Sequence, residues 1–395
     1  MQTLPPVPRT SEGQRGLSGS SGRVTILFVI DSLQGAAGGT EQHLLFLLRE
    51  LPRDRFHVHF AVLSAFGNCD STEFPVPPAM PNGRPRSWLR PLRQVQWLRA
   101  LISMLKPHIV QAMCPRSEAD SLLAAKFSAQ TTVLGVRRNT GYWHNQLTLW
   151  RARLLSRLGG TYVANCGAAR DFAVRNEWIA QDRVTVIRNP VLRQRLEEGL
   201  ASPPSRGDLG IAADEWVVGM VATIRPVKDH RTFLCSARLV LDRYPMTRFL
   251  LIGTEDPKCA RELRALSRTL GIERQLTWVG PVKNPLHLLP LFDVAVLSSR
   301  SEGMSNALLE YAAAGIATVA TDVGAAREII DDEVCGFLVQ PRSPEAMADR
   351  ICRLLRDDTL RRQFGEKAQR KIRESFSEEE ILGEYSRLYL RLAGR

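Results

Sequence analysis

The chain has 395 residues and lacks any apolar run approaching the roughly 18 residues that a membrane span needs. Its start, MQTLPPVPRTSEGQRGLSGSSG, lacks the apolar centre of a secretory signal, and its Pro, Gly and Ser content predicts a disordered tail over 1–22. None of the seven cysteines forms a CxxC pair, which speaks against a zinc site or a disulfide framework. Cys69, Cys114, Cys166, Cys235, Cys259, Cys335 and Cys352 are expected to be buried thiols in a reducing, cytoplasmic compartment. There is no Asp-x-Asp motif and no His or Cys cluster at ligand spacing, so no metal and no cofactor are expected. The first glycine loop, GAAGGTEQ, is not GxGxxG, which counts against a nicotinamide-dependent dehydrogenase. Aromatic residues are 7% of the chain and are not concentrated into stacking platforms along the charge, so nucleic acid is not expected as a partner.

Acidic residues are scarce in one half only. Residues 1–200 hold 25 Lys+Arg against 14 Asp+Glu, and residues 201–395 hold 28 against 27, so nearly all of the +12 net charge lies in the first half. Such asymmetry predicts an anionic partner for one domain. Between Phe74 and Arg170 there are 14 basic residues and two acidic ones, Glu118 and Asp120. Arg86, Arg90 and Arg93 stand at helical spacing beside Trp88 and Trp97, and Arg153 and Arg157 beside Trp150. Basic helices with interfacial tryptophans suit an anionic membrane surface. The plain alternative is a solvated helix face with the tryptophans packed inward.

What is present is a repeated alternation. Apolar strands are predicted at 24–30, 58–64, 109–113, 132–136, 161–165 and 184–187, with helical segments between them. A stretch rich in Pro, Gly and Asn covers 65–87. The rhythm fades over 191–212, which contains Pro203, Pro204 and Gly207. It restarts with strands at 216–222, 249–253, 276–280, 293–298 and 317–321 and helical segments over 344–375. Strands alternating with helices imply parallel sheets, and one core rarely exceeds about 250–300 residues, so two α/β domains are expected. We divide the chain into a tail (1–22), a first domain (23–195), a second domain (196–376) and a final helix (377–395), opened by Ser377 and packing back on the first domain. Two facing sheets place a ligand cleft between the domains, at the carboxyl ends of their strands.

Three stretches carry chemistry toward that cleft. In SRSEGMSNALLEYAAAG (299–315) a buried strand ends in a loop, and Ser305 or Asn306 caps the following helix. A helix N-terminus offers free N–H groups and partial positive charge to a diphosphate. Glu302 and Glu310 can accept paired hydrogen bonds from vicinal hydroxyls. A capped helix with two surface glutamates is the alternative. In GMVATIRPVKDH (219–230), Arg225 and Lys228 follow a strand and suit phosphate. In DSLQGAAGGTEQ (31–42), Gly35, Gly38 and Gly39 allow a loop to approach a ligand before a helix. RRNTGYWH (137–144) adds Arg137, Arg138 and His144.

The EGM-x-N-x-x-x-E pattern, the AAAG after it and the glycine turn beyond resemble the E-x7-E region of the family-4 glycosyltransferases, the polysaccharide-making members among them. The likeness spans roughly 23–392. It implies the GT-B fold, two facing Rossmann-like doubly wound parallel sheets, and a retaining, metal-independent transfer from a nucleotide-sugar donor, UDP-linked, to a glycan or lipid-linked acceptor hydroxyl. By that resemblance Glu302 holds a hydroxyl of the donor sugar beside the amides of Gly303 and Met304, and Glu310 binds the ribose. Ser305 and Asn306 open the helix at the diphosphate, Lys228 falls on the family lysine, and Gly38 and Gly39 belong to a GG-x-E loop facing donor phosphate and acceptor. The family arginine is replaced by Thr223, with Arg225 its candidate substitute. Gln111 and Met113 stand where the family often has a histidine, and Pro190 replaces a hinge glycine. Docking on the inner face of the membrane would bring the first domain to a lipid-linked acceptor.

Overall fold

The structure, a computed structural model, describes residues 22–33, 38–66, 74–81, 90–126, 128 and 130–395. The expected tail, Gly35, Cys69, Arg86, Trp88 and the Arg90 side chain lie outside the described residues.

The first half alternates β1 (Val24–Leu33), α1 (Gly39–Glu50), β2 (Phe56–Phe66), α2 (Arg90–Leu105), β3 (Ile109–Ala112), α3 (Pro115–Ala125), β4 (Thr132–Arg137), α4 (Gln146–Ser156), β5 (Thr161–Ala164), α5 (Gly167–Glu177) and β6 (Val184–Val186). A linking helix, α6 (Arg193–Ala201), precedes the second half. That half runs β7 (Trp216–Val221), α7 (His230–Leu241), β8 (Thr247–Ile252), α8 (Pro257–Thr269), β9 (Leu276–Gly280), β10 (Val294–Leu297), α9 (Asn306–Ala313), β11 (Thr318–Thr321), α10 (Ala326–Ile329), β12 (Phe337–Val339), α11 (Pro344–Arg356), α12 (Asp358–Ser375) and α13 (Glu378–Leu392). Each half forms a six-stranded sheet, in the orders β2-β1-β3-β4-β5-β6 and β12-β11-β10-β7-β8-β9, with all strand pairs parallel. This is the two-domain Rossmann-like architecture expected.

Period-two alternation builds the layers. Val24, Ile26, Phe28 and Ile30 of β1 join a core with Leu44, Leu47 and Leu48 of α1. Leu27 and Val29, on the opposite face, pack with Leu98, Leu101 and Ile102 of α2 and Leu122 of α3. In the second sheet Val218, Met220, Phe249 and Leu251 face α7 and α11 in the same manner. A further core joins the halves: Tyr162, Ala164, Cys166 and Ala169 pack in one cluster with Met304, Leu308 and Ala325.

The last helix returns to the first domain. Ser377 caps α13 by accepting from the Glu380 amide at 3.2 Å, with Glu378, Glu379 and Glu380 in the first turn. Ile381, Tyr385, Leu388 and Tyr389 enter the core of β1 and α1. Tyr389 donates to Gln111 at 2.6 Å, and the Tyr385 hydroxyl lies 2.9 Å from His43 Nε2. The chain therefore crosses between domains twice, and the crossings touch where the Val191 amide donates to the Phe376 carbonyl.

Two expectations are corrected. The stretch 191–212 was expected to be without rhythm but contains α6, and Cys114, Cys235 and Cys259 are half-buried rather than buried. Short sequence and weak amphipathicity hide α6, because its inward face is set by contacts with the second domain.

Candidate active site

The site grows from the carboxyl end of β10. Ser298 and Ser299 are fully buried there, and the chain turns through EGMSN into α9, where Ser305 accepts from the Leu308 amide as N-cap. Glu302 is 8% exposed. Its Oε1 accepts from Lys228 Nζ at 2.5 Å and from Ser299 Oγ at 2.6 Å. Burying a carboxylate is tolerable only with such partners.

Lys228 is delivered by a tight turn after β7. The turn is fixed by Asp229, which sits in the left-handed region at φ 47° and is 3% exposed. Arg300 and Thr232 donate to its carboxylate at 2.9 Å each, and Ser298 Oγ donates to the Lys228 and Asp229 carbonyls. Burial raises the Asp229 carboxyl, but the bonds from Arg300 and Thr232 outweigh it and hold it below the usual range. Arg225 opens the same turn, its carbonyl accepting from the Lys228 amide at 3.0 Å, and its side chain is exposed; no described side-chain hydrogen bond or ion pair joins it to Lys228 or Glu302.

Across the cleft, α1 begins at Gly39 with Gly38 as N-cap and no side-chain cap. Its first turn faces that of α9: a Cβ on Gly39 would lie 3.2 Å from Asn306 Nδ2. Two helix N-termini thus converge on one space, an arrangement that favours an anion. Arg138, following β4, donates to the Gly39 carbonyl at 3.0 Å, and burial lowers its pKa. Its own carbonyl lies against Gly303, where a Cβ would stand 2.1 Å away. Thr140 Oγ1 is 2.6 Å from Ser301 Oγ. The domains therefore meet in the EGMSN loop itself.

The hinge supplies residues that sequence reasoning missed. Asn189 donates to Asn306 Oδ1 at 2.8 Å, and its amide meets Met304 Sδ at 3.3 Å. Arg195, on the first turn of α6, donates to Glu310 Oε1 at 2.6 Å and to Gln42 Oε1 at 3.4 Å. Burial raises the Glu310 carboxyl and Arg195 opposes the rise. These side chains line an open cavity of about 430 Å³ that also meets His43 and Arg138. His43 is held neutral: burial lowers its pKa well below the usual range, and the Arg138 charge adds to the effect. Nothing in the local pattern RQRLEEG marks Arg195, since its partner is 115 residues away.

On the first-domain side a second cavity of about 790 Å³ opens beside Thr40 and Arg138. Arg137, expected near the cleft, lies at its floor instead, 9% exposed, paired with Glu118 at 2.5 Å and Glu177 at 2.7 Å. Burial opposes its charge, but the two carboxylates outweigh burial and raise its pKa. His144 stacks on Phe172 with ring centroids 5.8 Å apart and lies 3.7 Å from Glu177, while Trp143 is exposed. The structure thus brings together Lys228 with Glu302, and Gly38, Gly39 and Arg138 with Gly303, Met304, Ser305, Asn306 and Glu310. Arg225 stands apart. Among the described residues no three His, Cys, Asp or Glu side chains cluster at ligand spacing.

Residues 37–195 match the family described as Glycosyltransferase Family 4, and residues 202–371 match Glycosyl transferases group 1. The chain is 28% identical over 182 residues to the N-acetyl-alpha-D-glucosaminyl L-malate synthase of Bacillus anthracis, covering 46% of this chain and 47% of that protein. It is 32% identical over 172 residues to the D-inositol 3-phosphate glycosyltransferase of Corynebacterium urealyticum, covering 41% and 40%. The match therefore spans about half the length of these curated relatives. The crystal structure of Anabaena Alr3699/HepE in complex with UDP and glucose superposes with a TM-score of 0.79 at 19% identity, covering 93% of this chain and 99% of that one.

Proposed function

The chain belongs to the family-4 glycosyltransferases of the GT-B fold, and from that premise we propose that it transfers a glycosyl group from a UDP-sugar to a hydroxyl of a glycan or lipid-linked acceptor, with retention and without a metal. The observation that carries this reading is the Lys228–Glu302 pair at 2.5 Å, set beside the converging N-termini of α1 and α9. Lys228 and the helix N-terminus at Ser305 and Asn306 would meet the leaving diphosphate, where charge builds in the transition state. Glu302 would then hold a sugar hydroxyl, with the Gly303 and Met304 amides nearby, and Glu310 the ribose. Arg225, exposed at the same turn, would be a second cation for the phosphates. With no carboxylate placed as a nucleophile, the attacking hydroxyl would arrive on the leaving-group face and a phosphate oxygen would take its proton.

The acceptor side is the cavity beside Thr40 and Arg138. Arg137 is occupied by two carboxylates and His144 is stacked on Phe172 beside Glu177, which leaves Asn139 and Trp143 to meet a sugar ring. A panel of nucleotide sugars, assayed by release of free nucleoside diphosphate, tests the donor. Release from none of them would overturn the reading. Turnover is expected to persist in excess chelator, and activity lost there and restored by manganese or magnesium would refute metal independence.

We place the enzyme in the cytoplasm, docked on the inner membrane face. Among the described residues no helix is long and apolar enough to cross a membrane. α4 supports docking: Leu147, Trp150 and Leu154, with Leu158 just beyond, are all at least 40% exposed. Arg151 is exposed on the same stretch, as is Arg157, whose guanidinium also lies over the Trp178 ring at 5.8 Å. Trp150 is therefore not packed inward. Arg153, expected beside it, turns away to lie over the Trp178 ring at 4.4 Å and to donate to the Asn176 carbonyl. Each basic residue near an anionic surface is worth about 1 kcal/mol. The protein is expected to sediment with anionic liposomes at low salt and to be released at high salt, because screening shortens the reach of surface charge. Arg151→Glu with Arg157→Glu should abolish sedimentation without changing donor hydrolysis. Equal partitioning into neutral and anionic liposomes would favour a soluble acceptor.

A further inference from the structure

We propose that Arg195 is a positioning residue that holds the Glu310 carboxylate for the donor ribose and so sets the preference for a ribonucleoside over a deoxyribonucleoside diphosphate; this rests on the reading of Glu310 as the ribose clamp. Arg195 reaches Glu310 from the segment joining the domains, through a 2.6 Å bond between side chains only 23% and 15% exposed. A bond so sheltered is charge-assisted and geometrically restrictive. It falls on Oε1. A carboxylate has about four lone-pair sites, so one such bond fixes its plane and still leaves room for a vicinal diol.

The surroundings explain why Glu310 needs this partner. Leu196, Leu286 and Leu309 line the cavity around it, and burial drives its carboxyl toward the neutral form. The ionisable groups facing it are few. His43 of α1 is neutral and bonded to Tyr385. Arg138, after β4, donates to the Gly39 carbonyl. Tyr311, on Glu310's own helix, turns its hydroxyl to the Val221 amide at 2.6 Å. Arg195 is the cation at bonding distance. Without it the carboxyl becomes protonated at a higher pH, and a protonated carboxyl accepts a diol poorly. Its second contact, at 3.4 Å to Gln42 of α1, anchors the guanidinium from the far side of the cleft.

The test is calorimetric titration with UDP, GDP and ADP, each beside its 2′-deoxy counterpart, read on the base that binds best. Wild type is expected to favour the ribo form by about tenfold, the worth of one charge-assisted hydrogen bond. Arg195→Ala should narrow that ratio to within about threefold and make the ratio itself fall as pH is lowered, the deoxy counterpart cancelling the titration of the terminal phosphate. Arg195→Lys should restore part of the ratio. Arg195→Gln, similar in length but uncharged, should behave as Arg195→Ala and covers the case in which truncation disturbs α6. Arg195→Ala should add nothing on a Glu310→Ala background. A wild-type ratio and pH profile in Arg195→Ala and Arg195→Gln, with the ratio lost in Glu310→Ala, would overturn the inference and leave the ribose clamp standing. An unchanged ratio in Glu310→Ala, or no binding of any of the three diphosphates to wild type, would remove the clamp and the inference together.

Discussion

Lys228→Ala is expected to lower kcat by at least about a hundredfold while leaving acceptor KM within a few-fold, because a preorganised donor aimed at developing charge is worth roughly 10²–10³ in rate. The size follows from where the ammonium sits. Lys228 is held by a turn whose Asp229 is locked by Arg300 and Thr232, so its charge is in place before reaction and costs no reorganisation. The same substitution removes the cation from Glu302, whose side chain is 10% exposed, leaving Ser299 as its described partner. Removing one partner of a buried ion pair costs about 3–5 kcal/mol, so Tm should fall as well. Lys228→Met combined with Glu302→Gln separates the two effects. It should recover most of the stability and none of the turnover. Arg225→Ala is the comparator: exposed beside Asp256, it should cost less than Lys228→Ala. Near-normal turnover in Lys228→Ala would remove the lysine from the diphosphate site.

The parts of this site that were legible in the sequence are those whose partners are near in the chain or fixed by backbone geometry. Glu302, Ser305 and Glu310 follow one strand and open one helix, and a strand-loop-helix reading places them together. The two sheets were legible because the strands are continuous apolar runs buried on both faces, as parallel sheets require. The three-residue β12 was missed, although the equally short β6 was not. Long-range pairing was not legible. Asn189 meets Asn306 across 117 positions, and Arg195 meets Gln42 across 153. Arg153 carries the composition of an outward-facing residue, yet the Trp178 ring, in the left-handed cap of α5, captures it. These outcomes are decided by which surfaces the fold brings together, and no local pattern records that.

Gly303→Ala is expected to lower kcat/KM by about a hundredfold without weakening nucleoside diphosphate binding to the second domain. The cause is a single contact. A Cβ at Gly303 would stand 2.1 Å from the Arg138 carbonyl oxygen and 2.9 Å from Asn165 Oδ1. The nearer atom is backbone at the end of β4 and cannot yield as a side chain would. Relief must come from the domains parting by roughly 1 Å, and a misplacement of that size costs on the order of 10²-fold where two substrates must meet in register. The cores within each sheet are kept while the cluster shared by Tyr162, Ala169, Met304 and Leu308 loosens, so the loss should appear in the transfer step and, to a smaller extent, in Tm. Gly39→Ala is the matched control on the facing helix: its Cβ would meet the amide end of the Asn306 side chain at 3.2 Å, a contact relieved by a shift of a few tenths of an ångström that keeps the Asn189 bond. It should retain activity within a few-fold, helped by the better helix propensity of alanine. Wild-type transfer in Gly303→Ala would show that the Arg138–Gly303 contact is not part of the arrangement in which donor and acceptor react.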